Sequence, residues 1–323
     1  MISTDSRGLK YIEANNYNIA EIDTPKLNKS ALLPWAILKV FYLTLKSLSL
    51  LKNQKIKFLI STGGYMSLPL CLGAKVLGIK IFLIEPNMVI GRANKFFLNF
   101  SEKIICYSND IIGFPKKFQN KLAISKPFIK KKYYLDNLKE KNNTKFTIMI
   151  IGGSQGAKIF DQIIHQSILK ISETNQLKVI HQTNTKNIDY LKNFYLKNKI
   201  ENNVFDFDQN LQNFLIQSDL CITRAGASSL AEIAYLKVPF IAIPLPSSKD
   251  NHQFENANYY KNKNCCWVID QNKFEKQYFE DLLANLLKNG DEILEKKNNL
   301  RNLNFKNTWN NVNQNLLKII NEN

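Results

Sequence analysis

Short apolar segments alternate with stretches of helical spacing along the first half of the chain. The apolar segments predict strands at residues 18–22, 57–61, 79–84, 104–107 and 122–125. Parallel strands must be joined by a crossover, which is usually a helix. The alternation therefore predicts a parallel sheet with helices on both faces.

The same pattern restarts after a polar segment at residues 140–145. Residues 146–151 (FTIMII) are continuously apolar, which is typical of a strand buried on both faces. Further strands are predicted at 179–182, 204–207, 220–223 and 240–244, and helices at 188–197, 211–218, 227–236, 273–288 and 291–321, the last with a break near Asn304. We predict an α/β protein with domains at 1–142 and 143–303 and a terminal segment at 304–323.

Two glycine-rich turns, Gly152–Ala157 and Arg224–Ser229, each follow a predicted strand and open a predicted helix. Backbone N–H groups at such a turn bind phosphate without a metal ion. Ser154 adds a hydroxyl donor to the first turn. The alternative is that both segments are plain strand–helix turns.

The second turn carries additional polar chemistry. Ala227, Ser228 and Ser229 begin a helix whose dipole favours anions, and we expect Glu232 in the first turn of that helix. A carboxylate there suits the two hydroxyls of a ribose, although a helix-capping acid is the simpler alternative. Arg224 is interpreted either as part of an ion pair at the edge of the core or as a brace for the turn.

A third polar group follows the proline-containing loop 244–250. His252, Gln253 and Asn256 have the spacing of one side of a helical turn, and their side chains suit sugar hydroxyls and phosphate oxygens. An ordinary polar helix start remains the alternative. His181 ends a predicted strand on the same edge, and we expect it to line the site.

The net charge of the chain makes nucleic-acid binding a function to consider. The formal net charge is +17, but the lysines are scattered and no zinc-finger spacing, RNP-like aromatic strand or basic helix stands out. The charge therefore favours an anionic membrane surface or compositional drift over nucleic acid. The five cysteines form no CxxC pair and the first ten residues are polar and charged, so we expect a reducing cytoplasm and no cleavable signal peptide.

Residues 31–51 form the most apolar helical segment of the chain. A helical wheel predicts a core face of Ile37, Phe41, Leu45 and Leu48 and an outward face with Trp35, Lys39, Leu43 and Lys46. Lysine beside tryptophan and leucine on an outward face is typical of a helix that lies in the lipid interface. The alternative is a buried helix with two snorkelling lysines.

Six segments together resemble one known family. STGGYMSLP, IEPNMVIGRANK, IGGSQGAKIFD, HQT, CITRAGASSLAEIAYLKVPFIAIPLP and HQFENA occur in an order similar to that of the MurG family. These bacterial enzymes add N-acetylglucosamine to lipid I to make lipid II. The resemblance implies a GT-B fold, with two Rossmann-like domains facing a cleft and a C-terminal helix that returns to the first domain. It also implies an inverting transfer from UDP-N-acetylglucosamine, without metal or cofactor, by a peripheral enzyme on the cytoplasmic face of the inner membrane.

The resemblance also implies roles for individual residues. The diphosphate would be bound by Ser154 and supported by Ala227, Ser228 and Ser229, the ribose by Glu232, and the sugar by Gln253 and Asn256 with His252 alongside and Asn94 from the first domain.

The chain departs from the family pattern at two places. The family's N-terminal strand and GGTGGH loop, which carries the histidine usually proposed as general base, have no counterpart here. We therefore expect an incomplete first domain with exposed sheet edges, and we assign no general base; Glu85 is the one substitute considered. The family's Asn-Pro-Val-Arg is here residues 126–129 (KPFI), and Lys130 or Lys131 would have to supply the missing charge. A UDP-sugar-binding remnant without transfer activity and a related lipid glycosyltransferase remain as alternatives.

Overall fold

Parallel pairing joins the strands in the computed structural model of this chain. The structure describes residues 1–6, 8–9, 12, 17–25, 32–135, 145–152 and 158–322. Contacts divide it into two units, the first formed by residues 1–125 and 314–323 and the second by residues 126–313.

The described residues of the first unit form six strands and three α-helices. The strands are β1 (Ile2–Thr4), β2 (Ile19–Glu21), β3 (Phe58–Ser61), β4 (Lys80–Glu85), β5 (Lys103–Cys106) and β6 (Leu122–Ile124), and the helices are α1 (Leu33–Asn53), α2 (Leu68–Val76) and α3 (Arg92–Phe97). Strands β3 to β6 form one sheet in that order, and β1 and β2 form a separate pair. The five strands predicted from apolar runs are confirmed, whereas β1 was not predicted.

Strand β3 is an edge strand, and its side chains Phe58 and Ile60 are exposed. Among the described strands it pairs only with β4. A cavity of about 600 Å³ lies beside it and is lined on its other side by β1. The expected exposed edge is therefore present in the first unit, and the cavity separates the two groups of strands.

Helix α1 packs on α2 with a different face from the one we predicted. Its buried residues are Ala36, Val40, Leu43, Ser47 and Leu51. By contrast, Ile37 and Phe41 of the predicted core face are 53% and 64% exposed. Small residues determine which face of α1 packs on α2. A Cβ at Gly73 of α2 would lie only 3.3 Å from Cβ of Ser47. The helices approach closely along this line, and the larger apolar side chains are left outside.

In the part of the second unit that the structure describes there are six strands and most of the remaining helices. The strands are β7 (Phe146–Ile151), β8 (Leu177–Gln182), β9 (Glu201–Phe205), β10 (Leu220–Thr223), β11 (Phe240–Ala242) and β12 (Cys266–Val268). The helices are α4 (Lys131–Leu135), α5 (His165–Ser172), α6 (Ile188–Lys197), α7 (Leu211–Ile216), α8 (Ala227–Tyr235), α9 (His252–Lys261), α10 (Lys276–Lys288), α11 (Gly290–Leu303) and α12 (Trp309–Asn321), whose end belongs to the first unit. A π-helical turn, Phe160–Ile164, leads directly into α5.

Alternate residues of β7 enter two separate apolar layers. Ile148 and Ile150 belong to one core cluster and Met149 and Ile151 to the other. All four are buried, so the continuous apolar run is explained by a strand that helices cover on both faces.

The sheet of the second unit has the order β12-β11-β10-β7-β8-β9. In the unit's own numbering this is the doubly wound order 3-2-1-4-5-6 of dinucleotide-binding folds. The order reverses between β7 and β10, which pair in parallel with Ile222 opposite Ile150. Chain connections leave that point in opposite directions, and this opens a crevice at the carboxyl ends of the two strands.

The division between the units comes after Ser125, earlier than the boundary expected at residue 142. Residues 126–135 belong to the second unit and contact the rest of it. Lys126 Nζ donates to the carbonyl of Leu303 (2.8 Å), and the ring of Tyr133 is part of that unit's core. At the other end of the chain, Asn315 donates to the carbonyl of Ile124 within the first unit (3.0 Å).

Candidate functional site

The carboxyl ends of β7 and β10 lie side by side in the second unit, and β10 leads directly into the second glycine-rich turn. Arg224 N donates to the carbonyl of Ile151, which ties the second turn to the end of β7 (3.3 Å). Ser154 and its neighbours at 153–157 lie outside the described residues. The described part of the site is therefore the second turn, α8 and the residues around them.

Helix α8 begins directly after Gly226, which has extended backbone angles (φ −68°, ψ 133°). The first backbone bond of the helix runs from Leu230 N to the carbonyl of Gly226 (3.0 Å). The N–H groups of Ala227, Ser228 and Ser229 precede that bond, and the cap residue, Gly226, has no side chain to accept from them. This helix start therefore offers backbone donors and a positive dipole end to an anion.

Glu232 is the sixth residue of α8 and lies in its second turn, so the expected position in the first turn was wrong. The helix begins at Ala227, as predicted, so the error lay in the count of residues from the start of the helix. Oε2 of Glu232 accepts a hydrogen bond from the hydroxyl of Tyr133 (2.9 Å). Burial raises the pKa of Glu232, and Lys130, the Tyr133 hydroxyl and Lys132 offset part of that effect. The carboxylate is thus half-buried and held among donors and cations.

Arg224 is a brace for the turn and makes no ion pair among the described residues. Its Nη1 donates to the carbonyl of Ile243 (2.9 Å) and to Oε1 of Gln271 (2.6 Å). The guanidinium also lies 5.2 Å from the ring centroid of Phe160. These contacts fix the turn against the loop that follows β11.

Helix α9 supports the same turn from the other side. Oε1 of Gln253 accepts from the backbone N–H groups of Leu245 (3.0 Å) and Ala225 (3.3 Å). Nδ2 of Asn256 donates to the carbonyl of Ala225 (3.1 Å), and this side chain is buried. The three candidates of α9 therefore lie at the site, but two of them hold backbone rather than project from it.

His252 starts α9, and its Nδ1 lies 2.7 Å from the carbonyl of Lys249. A carbonyl only accepts, so Nδ1 donates to it and Nε2 is left for other partners. The two preceding residues, Asp250 and Asn251, are left-handed, with φ of 52° and 55°. Asp and Asn tolerate this conformation better than most residues, and it turns the loop sharply into α9.

His181 does not line the site, contrary to our expectation. It is completely buried, its Nδ1 lies 2.9 Å from the hydroxyl of Tyr195, and its Nε2 lies 3.3 Å from Oδ1 of Asp161. Burial lowers the pKa of His181, which keeps the ring neutral. Asp161 also accepts from Thr183 (2.8 Å) and Asn187 (2.7 Å). This cluster ties β8 and the start of α6 to the π-helical turn.

Asn94, in the first unit, is 1% exposed. Its Nδ2 donates to the carbonyl of Ile84 (3.1 Å) and to Oε2 of Glu85 (2.9 Å). Gly63 sits so close to it that a Cβ there would lie 2.7 Å from Oδ1 of Asn94. This burial does not fit the expectation that Asn94 reaches towards a bound sugar.

Glu85 is also buried, and both of its oxygens are used inside the first unit. Oε1 accepts from the N–H (3.1 Å) and Nδ2 (3.0 Å) of Asn87, and Oε2 accepts from Gly91 N (2.7 Å) as well as from Asn94. A carboxylate with this many donors is an anchor for the loop before α3 and does not have the position of a general base.

Tyr133 is the site residue that sequence reasoning missed. It lies in a lysine-rich segment that looks solvated, but Ile129 and Tyr133 are four residues apart and both pack on the second unit's core. This four-residue spacing of apolar side chains was the sequence signal from which the burial of Tyr133 could have been predicted. Among the described residues, no group of three or more His, Cys, Asp or Glu side chains is arranged to hold a metal ion.

Comparison with protein families gives a match to each half of the chain. Residues 1–106 match the glycosyltransferase family 28 N-terminal domain, and residues 147–312 match the glycosyltransferase family 28 C-terminal domain. The second match contains both glycine-rich turns, α8 and α9.

Curated relatives align over most of the chain. A protein of Pelagibacter ubique (strain HTCC1062), named UDP-N-acetylglucosamine--N-acetylmuramyl-(pentapeptide) pyrophosphoryl-undecaprenol N-acetylglucosamine transferase, is 43% identical over 323 residues, which are 100% of this chain and 91% of the relative. A protein of the same name from Wolbachia sp. subsp. Brugia malayi (strain TRS) is 36% identical over 84% of this chain and 78% of its own length.

Solved structures show the same fold. MurG of Acinetobacter baumannii superposes with a TM-score of 0.75 at 22% identity and covers 99% of this chain and 90% of its own. The UDP co-structure of MnaA from S. aureus superposes with a TM-score of 0.64 at 11% identity, over 92% of this chain and 89% of its own. The predicted GT-B arrangement of two Rossmann-like α/β domains is confirmed.

Proposed function

Because the chain belongs to glycosyltransferase family 28, we propose that it transfers N-acetylglucosamine from UDP-N-acetylglucosamine to the muramoyl 4-hydroxyl of lipid I. The product is lipid II, an intermediate of peptidoglycan synthesis. The name of the Pelagibacter relative, which aligns with every residue of this chain, supports this reaction.

One observation carries the nucleotide assignment: the start of α8 and Glu232 lie where the strand order reverses, at β10. Ligands of open α/β sheets bind at that point. Backbone N–H groups of Ala227, Ser228 and Ser229, with Ser154 from the first turn, would bind the diphosphate. Glu232, one and a half turns into α8, would accept from the ribose hydroxyls, and this distance from the helix start would limit its repulsion of the phosphates.

Residues of α9 would contact the sugar. Oε1 of Gln253 is already used by two backbone N–H groups, so its contribution to a ligand is the Nε2 donor. His252 offers Nε2 at the first position of the helix. Asn256 fixes Ala225 and acts on the sugar through the turn that it holds.

The chemistry is a single displacement with inversion. The oxygen of the acceptor hydroxyl forms a bond to the anomeric carbon, the bond from that carbon to the phosphate oxygen breaks, and UDP leaves with the electron pair. The hydroxyl proton passes to a base that we leave unassigned, since Glu85 is occupied as an anchor. The positive end of α8 stabilises the charge that develops on the leaving diphosphate.

The exposed face of α1 supports a location at the membrane surface. By length and composition this helix could span a bilayer, but one of its sides packs on α2. Its outer side exposes large apolar residues, and Lys39 and Lys46 lie among them. These residues are Trp35, Ile37, Leu38, Phe41, Tyr42 and Leu45. Leu43, which we expected in the membrane, is buried instead. A helix with one face packed and the other apolar and basic fits the interface of an anionic bilayer.

Turnover of UDP-N-acetylglucosamine with lipid I incorporated in vesicles tests the proposal. We expect the full chain to release UDP and to form lipid II. Glu232→Ala should lower kcat/KM by roughly tenfold to a hundredfold, the range expected when hydrogen bonds to a charged group are lost. Glu292→Ala, at an exposed carboxylate of α11, is the matched control and should behave as the wild type.

Two results would contradict the proposal. Binding of UDP in a calorimeter without any transfer would leave a nucleotide-sugar-binding protein. Salt-dependent binding of DNA that UDP does not displace would instead favour nucleic acid as the reason for the positive charge.

A further inference from the structure

We propose that Tyr133 is a positioning residue that holds Glu232 in the orientation needed to bind the nucleotide ribose. The inference rests on the proposed function, because it assumes that Glu232 meets the ribose. It adds a residue outside α8 and the glycine-rich turns to the machinery that selects a ribonucleotide.

The contact is direct. The hydroxyl of Tyr133 lies 2.9 Å from Oε2 of Glu232, and the two residues are 99 positions apart in the chain. Tyr133 is 2% exposed, and its ring belongs to the core cluster that contains Leu230 and Ile233 of α8. Apolar packing therefore fixes the ring, and only its polar end reaches the carboxylate.

The segment that carries Tyr133 is anchored on both sides of the contact. Before it, Lys126 Nζ donates to the carbonyl of Leu303 (2.8 Å). After it, the ring of Tyr134 packs against Tyr235 of α8 with centroids 4.9 Å apart. These contacts restrict movement of α4, so the hydroxyl cannot leave Glu232 without disturbing the packing around α8.

The protonation states suit this role. Burial and then the neighbouring Glu232 raise the pKa of Tyr133, so its hydroxyl remains a donor. Burial raises the pKa of Glu232, while Lys130, the hydrogen bond from Tyr133 and Lys132 act in the opposite direction. Tyr133 therefore favours the ionised carboxylate, which accepts from ribose hydroxyls.

The hydrogen bond from Tyr133 leaves the Glu232 carboxylate able to accept further hydrogen bonds. An ionised Glu has about four acceptor positions on its two oxygens. With Tyr133 on Oε2, the remaining positions accept the 2′- and 3′-hydroxyls. A carboxylate whose rotamer is fixed before binding loses less freedom when the ligand arrives, and this improves affinity.

Calorimetric titration with UDP and with 2′,3′-dideoxy-UDP tests the role of Tyr133. Tyr133→Phe keeps the ring and its packing and removes only the donor. We expect it to weaken UDP binding on the order of tenfold, the factor that corresponds to about 1.4 kcal/mol, and to leave the binding of dideoxy-UDP unchanged. A purely structural role would weaken both nucleotides equally.

Tyr134→Phe is the matched control. The neighbouring hydroxyl lies 3.3 Å from the carbonyl of Pro127 and 3.4 Å from Oδ1 of Asn307, away from Glu232. We expect this variant to bind both nucleotides as the wild type does.

The results distinguish a failure of the role of Tyr133 from a failure of the ribose assignment of Glu232. The role of Tyr133 is overturned if Tyr133→Phe binds UDP as tightly as the wild type, more tightly, or with an equal loss for both nucleotides. Tighter binding would mean that the hydroxyl competes with the ribose for Glu232. If the wild type binds both nucleotides equally, the ribose assignment of Glu232 fails first, and the inference fails with it.

Discussion

Nε2 of His181 lies 3.3 Å from Oδ1 of Asp161, and both side chains are almost completely buried in the second unit. Asp161 is in the π-helical turn that precedes α5, and His181 is in β8. Burial opposes ionisation of Asp161, but its contacts with His181, Asn187 and Thr183 outweigh burial and lower its pKa. The cluster therefore combines a carboxylate that ionises easily with a histidine that stays neutral.

Acid should weaken the second unit through its buried histidines. Burial, with a smaller effect of His181, lowers the pKa of His165 from the ordinary 6.5 to about 4. Between these values the unfolded chain takes up a proton that the folded chain does not, so stability falls as the pH falls from 6.5 to 4. For His165 alone the loss is at most about 3 kcal/mol.

Urea unfolding at pH 7, 6 and 5 measures this effect. His165→Phe keeps an aromatic ring against Phe194 and removes the titrating group. We expect the variant to lose less stability than the wild type over that range. Parallel losses in the two proteins would show that His165 does not contribute.

Glu85 should matter for the stability of the first unit. Glu85→Gln replaces an oxygen that accepts from Gly91, Asn94 or Asn87 with a donor, and hydrogen bonds to a charged group contribute about 1.5–3 kcal/mol. We expect a loss of about 2–3 kcal/mol in the free energy of unfolding and an unchanged affinity for UDP. Glu102→Gln, at an exposed carboxylate, is the control. A fall in kcat with unchanged stability would instead identify Glu85 as a base.

Replacement of Glu232 should stabilise the protein in the absence of ligand. A carboxyl whose pKa is raised on folding favours the folded state at low pH, and that advantage is lost as the pH rises through the folded value. Glu232→Gln removes this titration while Tyr133 still finds an acceptor oxygen. We expect a higher melting temperature than the wild type at pH 7, a smaller difference at pH 5, and weaker binding of UDP. Thermal unfolding that shows a less stable variant at pH 7 would contradict the burial argument.

Most strands of the two larger sheets were predictable because each reads as an apolar run of its own. The run at 146–151 gives β7 without change of bounds, since helices cover it on both faces. β12 and β1 were missed, because Cys266–Val268 directly follows a polar turn and Ile2–Thr4 contains one apolar residue. Strand length does not separate the two groups, since β2, β6 and β11 also have three residues and were predicted.

The site was predictable only as far as its local parts. The glycine-rich turn, the start of α8 and the start of α9 are each visible as short motifs. The contact between Tyr133 and Glu232 joins positions 99 residues apart, and no local pattern encodes it. The role of Gln253 as a backbone brace was hidden for the same reason, because Ala225 is a distant partner.

The two faces of α1 should separate membrane binding from folding. Phe41 is 64% exposed, whereas Leu43, two residues along, is 7% exposed. Phe41→Ser should leave the unfolding transition in place and weaken binding to vesicles that contain phosphatidylglycerol by about tenfold or more, since a Phe side chain contributes about 1.5–3 kcal/mol when it leaves water. Leu43→Ala should lower the free energy of unfolding by about 2–5 kcal/mol, because it leaves a cavity against α2.

A comparison of anionic with neutral vesicles tests whether the lysines around that face contribute to membrane binding. Lys46→Glu reverses an exposed charge and should weaken binding to anionic vesicles, by about 1 kcal/mol for each basic charge lost near the surface, with little effect on neutral phosphatidylcholine vesicles. Vesicle sedimentation at two salt concentrations measures both variants. If Phe41→Ser binds vesicles as the wild type does while Leu43→Ala does not, the membrane contact lies on the face first expected from the helical wheel, and the exposed apolar face of α1 has another purpose.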